Sequence, residues 1–198
     1  MEFQHVNVKL FVKNAEKIDL EALVPVFHGW IQNQGHDELL LDIADYNHVP
    51  SGPGVVLIGH LGNYSLDEAG GRLGVRYNRK APLQGNNFDR LAQATQAALA
   101  AFQRLEAEPA LAGKIQFNGH ELEVFINDRL LAPNTEETRA TADSDLRTFF
   151  STLFGESDYT VEYAQDPRSL FSIRVKSAQA FDITSLLDNL KSLEPASH

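Results

Sequence analysis

Segments with an apolar residue at every second position stand next to one another along this chain, and segments with three-and-four apolar spacing separate them. That order constrains the fold more than any other feature, because strands met in adjacent pairs join as antiparallel hairpins, whereas a parallel sheet needs a helix after every strand. In the first segment Val6, Val8, Leu10 and Val12 alternate with His5, Asn7 and Lys9, which predicts a strand with one buried face. Leu20, Leu23, Val24, Phe27 and Ile31 follow at helical spacing, with Asp19 as a candidate cap and Pro25 suited to a first turn. Glu38 to Tyr46 is a nearly continuous apolar run that reads as a central strand covered on both faces, and Val55 to His60 resumes as a second one. Pro50-Ser51-Gly52-Pro53-Gly54 forces the turn between them.

From Gly70 to Lys80, Leu73, Val75 and Tyr77 alternate with Arg72, Arg76 and Asn78, giving a half-buried strand with a basic outer face. Phe88, Leu91, Thr95, Ala98, Phe102 and Leu105 then predict a helix over Asn87 to Ala107, stopped by Pro109. Within Lys114 to Asn127 the pair Asn118-Gly119 suits a two-residue hairpin turn that would set Ile115 opposite Leu122. Asp143 or Ser144 is placed to cap a helix carrying Leu146, Phe149, Phe150, Leu153 and Phe154, with Gly155 as its terminator. Tyr159, Val161 and Tyr163 alternate against Phe171, Ile173 and Val175 in a last hairpin, and Asp182 to Leu193 closes the chain as a helix.

The expected fold is therefore α+β: a mostly antiparallel sheet, with helices alternating with hairpins and packed largely on one face. Leu73-x-Val75-x-Tyr77-Asn78 before Ala81-Pro82 and a helix echoes Leu122-x-Val124-x-Ile126-Asn127 before Ala132-Pro133 and a helix, which suggests an internally duplicated strand-loop-helix unit. With 198 residues, the expectation is a single domain over 1–193 and a frayed tail at 194–198.

Charge and composition narrow the function classes. Seventeen Lys+Arg against 27 Asp+Glu give a net charge of −10, a field that repels phosphate backbones and anionic lipid, so neither nucleic acid nor membrane is an expected partner. The absence of cysteine removes disulfides, thiolate nucleophiles and Cys-based metal sites. The first residues carry no basic segment followed by an apolar one, so no secretory leader is expected and the expected compartment is the cytoplasm. No Gly-x-Ser-x-Gly elbow or Ser-x-x-Lys pair occurs, which argues against serine-type hydrolysis, and the Gly52-Pro53-Gly54 corner lacks the Lys-Ser/Thr of a phosphate loop.

Two polar groupings remain. Asp42, Asp45, Tyr46, His48, His60 and Tyr64 surround the Gly-Pro-Gly corner. If they converge at one rim of the sheet, Asp45, His48 and His60 could ligate a divalent metal, or Asp42, Asp45, His48, His60 and Tyr64 could supply acid–base catalysis. The alternative is that these groups hydrogen-bond turn backbone. Arg72, Arg76, Asn78, Arg79 and Lys80 form the basic patch of an acidic chain, able to grip a planar anion unless the surplus acids pair with it. Gly29, beside the sole tryptophan in a helical stretch, costs about 1 kcal/mol against alanine and calls for a close contact or a ligand.

The segments Phe27-His28-x-Trp30-Ile31, Asp42-Ile43-Ala44-Asp45-Tyr46-x-His48-Val49-Pro50-x-Gly52-Pro53-Gly54-Val55, Gly71-Arg72-Leu73-Gly74 and Asn127-Asp128-Arg129-Leu130 resemble those of a family of functionally uncharacterised bacterial proteins. That resemblance implies no activity, cofactor or catalytic residue. The order of the first 80 residues, with His5 on the first strand, also resembles the vicinal-oxygen-chelate type, whose repeated β-α-β-β-β units hold a divalent metal on His and Glu. The second half departs from it, since no strand is evident between Lys80 and the long helix. The first expectation is thus a non-enzymatic module binding a protein partner or a small anion through Arg72, Arg76, Asn78 and Arg79, with no cofactor and with homo-oligomers allowed. The second is a small-molecule enzyme or divalent-metal site on the Asp/His cluster.

Overall fold

Val6–Val12 (β1) runs through the middle of an eight-stranded antiparallel sheet in the computed structural model of the chain, which describes residues 1–13, 18, 20–34, 38–50, 52–111 and 113–191. The other strands are Leu40–Asp45 (β2), Val55–Gly59 (β3), Gly62–Asp67 (β4), Gly74–Arg79 (β5), Phe117–Ile126 (β6), Tyr159–Tyr163 (β7) and Phe171–Ser177 (β8), in the spatial order β2-β3-β4-β5-β1-β6-β8-β7. Four helices, Leu23–Asn33 (α1), Asn87–Ala107 (α2), Glu136–Phe154 (α3) and Ile183–Lys191 (α4), lie among the described residues. The α+β architecture expected from the pairing of strands is the one observed.

Two strand-loop-helix units recur in the structure. β5 and β6 flank β1 on opposite sides, each antiparallel to it, and each leads through an Ala-Pro loop into a long helix. α2 packs over β1 and β5 and against α3 and α4, while α1 packs on β2 and β3. The core lies between sheet and helices and includes Val8 and Leu10 of β1, Val75 and Tyr77 of β5, Val124 and Ile126 of β6 and Ile173 of β8 together with Leu91, Ala98, Leu99 and Phe102 of α2. Burying each such side chain contributes about 1.5–3 kcal/mol. α2 begins where the sequence predicts, because Asn86 and Asp89 form a reciprocal capping box.

Several expectations are corrected. β1 is buried on both faces, Asn7 and Lys9 included. The run Leu39-Leu40-Leu41 belongs to an edge strand, with Leu39 and Leu41 exposed, so Asp42 is exposed too. A strand, β4, occupies the stretch read only as a polar cluster. Asn118-Gly119 turns no hairpin: β6 runs straight through it from Phe117, paired with β1 and β8, and the extra residues form a bulge opposite Leu10 and Val12. Gly119 is required there by its φ of +76° and because a Cβ would stand 2.6 Å from the Phe181 carbonyl oxygen. α3 starts at Thr135, which accepts from the Thr138 N–H, two turns before the expected cap at Asp143 or Ser144. Asp19, Ser51 and the tail at 194–198 lie outside the described residues, and the closing helix is described to Lys191.

Candidate functional site

Period two divides the basic patch between the two faces of β5. Arg76 and Asn78 point to the face without helices, whereas Val75, Tyr77 and Arg79 point to the helix side. On the open face the arginines are occupied. Arg72 binds Glu121 of β6 through both ends of its fork, at 2.5 and 2.9 Å, and lies 3.8 Å over the Phe11 ring. Arg76 donates to Asn78 at 2.9 Å, reaches Asp67 at 3.4 Å and lies 4.6 Å over Phe125 of β6. Both side chains cross β1, and this roof explains how Asn7 and Lys9 come to be 1% exposed on a face that none of the described helices covers.

Beneath the roof, Lys9 donates to Asp67 at 2.6 Å and to the Ala69 carbonyl at 2.9 Å. Burial still pushes its ammonium below the ordinary value, against the pull of Asp67. The planar anion that Arg72 was expected to grip is supplied by the chain's own Glu121.

The Asp/His cluster does not converge. Asp45 and His48 stand at one end of β3 and His60 at the other, roughly 15 Å apart along the strand. Asp42, within β2, accepts from the N–H of its neighbour Ile43, and Asp45 accepts from Asn47 N–H at the turn that follows, and both are exposed. His48 and His60 are exposed, with His48 beside the Tyr46 ring. Among the described residues no group of three or more His, Asp and Glu is placed to hold a metal ion. Asn127-Asp128-Arg129 forms an Asx-type turn after β6, Asp128 accepting from Leu130 and Leu131 N–H at 3.0 Å each.

Two of the candidates meet elsewhere. Tyr64 and Arg79 line a cleft of about 690 Å³ between β4–β5 and the helices α2 and α4, well within the size range of small-molecule sites. Gly62 permits the floor of this cleft, since a Cβ there would be 2.5 Å from the Tyr77 ring, which lies 5.0 Å from the Tyr64 ring and is tilted to it by 47°. The Glu38 carboxylate accepts from Leu61 N–H at 2.6 Å, Gly62 N–H at 3.0 Å and the Tyr64 hydroxyl at 2.8 Å, so its oxygens are engaged.

Across from it, Gln93 donates to the Tyr77 hydroxyl at 3.3 Å, while its own Oε1 is buried without a partner. Burial pushes the Tyr77 hydroxyl above its ordinary value, and hydrogen bonds from Gln93 and Arg79 pull the other way. Arg79 spends Nε on the Ala81 carbonyl at 2.8 Å and, among the described residues, makes no ion pair. Apolar walls come from Leu61, Leu83, Ala97, Ala100 and Leu187, and Lys191 adds a second cation at the rim.

Sequence reasoning did not find Glu38, Tyr77, Gln93 or Lys191. A signal existed in α2, where Gln93, Gln96, Ala97 and Ala100 fall at i, i+3, i+4 and i+7, a polar and small-residue stripe beside the large apolar one. Parity along β5 likewise separates Arg79 from Arg76. No helix among the described residues is long and apolar enough to cross a membrane. No family model, curated protein or solved structure matches this chain.

Proposed function

We propose that the protein is a non-enzymatic cytoplasmic binding module whose ligand is a small amphipathic anion, held in the cleft between β4–β5 and α2/α4. The observation that carries this reading is Arg79: a guanidinium that makes no ion pair among the described residues, facing a cleft of about 690 Å³ lined also by apolar side chains, by the engaged Glu38 carboxylate and, at the rim, by Lys191. A carboxylate or phosphate docks on its remaining N–H groups, and an apolar body lies along Leu83, Ala97, Ala100 and Leu187. Tyr77 and Gln93 supply polar contacts at the junction of head and body. The Glu38 carboxylate already accepts three hydrogen bonds and acts to position the Gly59–Gly62 corner.

Decanoate, a carboxylate with a flexible apolar tail, is the probe. Isothermal titration calorimetry gives saturable binding to the native protein, and Arg79→Ala weakens it at least about tenfold, as loss of a charge-assisted hydrogen bond requires. Arg72→Ala, on the other face of the sheet, leaves the affinity unchanged. No saturable heat, or equal losses in the two variants, overturns the reading.

A further inference from the structure

The glycine that sequence analysis singled out has no packing reason to be a glycine. Gly29 sits in the interior of α1, and a Cβ built on it meets nothing within 4 Å. Neither a neighbouring backbone nor a positive φ calls for it. What lies around it instead is a pocket of about 260 Å³, lined by Pro25, Gly29 and Asn33 at four-residue spacing on α1, by the Trp30 ring, and by Arg104 and Glu108 of the α2 end.

The polar groups of this pocket are half-used. Trp30 donates its indole N–H to Glu108 at 2.6 Å, and the Arg104 guanidinium lies 4.2 Å over the indole ring. Arg104 makes no ion pair among the described residues, and its Nη1 is buried without a hydrogen-bond partner. Loss of hydration there holds the guanidinium below its ordinary value, although the nearby Glu108 carboxylate pulls the other way. The chain thus places a stacked, under-partnered guanidinium beside open space that any residue larger than glycine would begin to fill.

We infer that this pocket is a second ligand site, separate from the Arg79 cleft, and that it takes a small planar carboxylate carrying one ring or a branched alkyl group. The carboxylate pairs with the fork of Arg104, which already stacks on Trp30, and the ring or alkyl body occupies the space over Gly29 against Val26 and Pro25. At roughly 30 Å³ per water the volume equals about nine waters, enough for a single-ring acid and too small for a nucleotide. Glu108, engaged with the indole, selects against a second negative charge on the ligand.

Trp30 is the sole tryptophan, so its indole N–H gives a single side-chain cross-peak in a proton–nitrogen NMR spectrum, and that peak is the reporter. Titration with benzoate moves it along a saturating curve, whereas benzamide, the same shape without the charge, binds at least tenfold more weakly. Gly29→Val, which fills the pocket, and Arg104→Gln, which removes the charge, each abolish the benzoate response, while Arg104→Lys retains part of it. Should Gly29→Val lose the native amide spectrum, Gly29→Ala and the arginine pair decide the matter. A benzoate shift that never saturates, or that survives in both Gly29→Ala and Arg104→Gln, overturns the site. Decanoate binding measured on the same variants stays at the native value, which keeps this result apart from that of the Arg79 cleft.

Discussion

On the open face of the sheet Arg72 grips Glu121, and Arg76 shares Asp67 with the buried Lys9, whereas on the helix face Arg79, three residues further along the same strand as Arg76, meets no acid at ion-pair distance among the described residues. A face left without helices buries its polar side chains by laying arginines across its central strand onto Phe11 and Phe125. Cations used in that way are structural, since each is committed to a carboxylate and to a ring. Arg79, on the covered face, has no such commitment among the described residues and is available to a ligand. The two arginines therefore differ in role although they lie in one short basic run of sequence.

The largest effect that could break this contrast is at Asp67. It is 3% exposed and compensates both Lys9 and Arg76, so Asp67→Ala leaves an ammonium that is 1% exposed without its carboxylate. Removing one member of such a pair costs about 3–5 kcal/mol, because the remaining charge stays out of water. Urea denaturation reads the loss directly. The double variant Lys9→Met/Asp67→Leu recovers most of it, since replacing a buried pair by apolar groups is often close to neutral. A loss under about 1 kcal/mol for Asp67→Ala would mean that the open face is not held by its ion pairs.

Arg72 and Arg79 sharpen the contrast at smaller size. The Arg72 side chain is 37% exposed, so solvent screening limits its contribution, and Arg72→Ala lowers stability by about 1 kcal/mol. Arg79→Ala stays within roughly 0.5 kcal/mol of the native stability, the range of substitutions that break no compensated charge. Paired denaturation curves for the two variants check the ordering. Arg79→Ala as the more destabilising of the two would move Arg79 into the structural class and remove the ground for a ligand there.

The parts of this fold that were legible in the sequence are those fixed by local pattern. Asn87–Ala107 is bounded by a capping box and by Glu108-Pro109, signals only a few residues long, and the β7–β8 hairpin has Val161 opposite Val175 as alternation alone requires. What failed depended on which strand lies beside which. Asn118-Gly119 reads locally as a hairpin because that turn needs φ above zero, but a bulge needs the same conformation, and only the long-range partners β1 and β8 choose between them. Leu39, Leu40 and Leu41 look central by composition, yet nothing local to them says that β2 is the edge strand among the described residues.

The candidate site was legible in fragments for a related reason. Tyr64 and Arg79 were both identified, but Glu38 and Lys191, which join them across the cleft, come from segments far apart in sequence. The Asp/His grouping was an artefact of proximity along the chain, since the length of β3 separates its histidines. An eye to parity would have placed Arg79 with Tyr77 and Val75, and that single step moves the anion site to the other side of the sheet.

The smallest predicted effect compares two acids two residues apart on the open face. Burial alone would raise Glu121, but the hydrogen bonds from Arg72, with Arg174 and Lys176 nearby, outweigh it and hold that carboxyl below the ordinary value of 4.5. Glu123 is raised above it by burial, because its nearest cation, Arg174, stands 3.7 Å away and none of its cationic neighbours outweighs the loss of hydration. Below the ordinary value the folded state therefore binds fewer protons at Glu121 than the unfolded chain does, and the stability owed to Glu121 is lost as pH falls through that window. Between the ordinary value and the raised one the folded state binds more protons at Glu123, so the stability owed to Glu123 disappears as pH rises.

Glu121→Gln is thus destabilising at neutral pH by on the order of 1 kcal/mol, with the deficit closing in acid, whereas Glu123→Gln is near neutral or stabilising at pH 7 and loses that advantage in acid. Carboxyl carbon NMR titration gives the order directly, with Glu121 ionising first as pH rises. Arg72→Ala moves the Glu121 midpoint upward toward that of Glu123, because it removes the arginine fork whose hydrogen bonds are the largest influence holding Glu121 down.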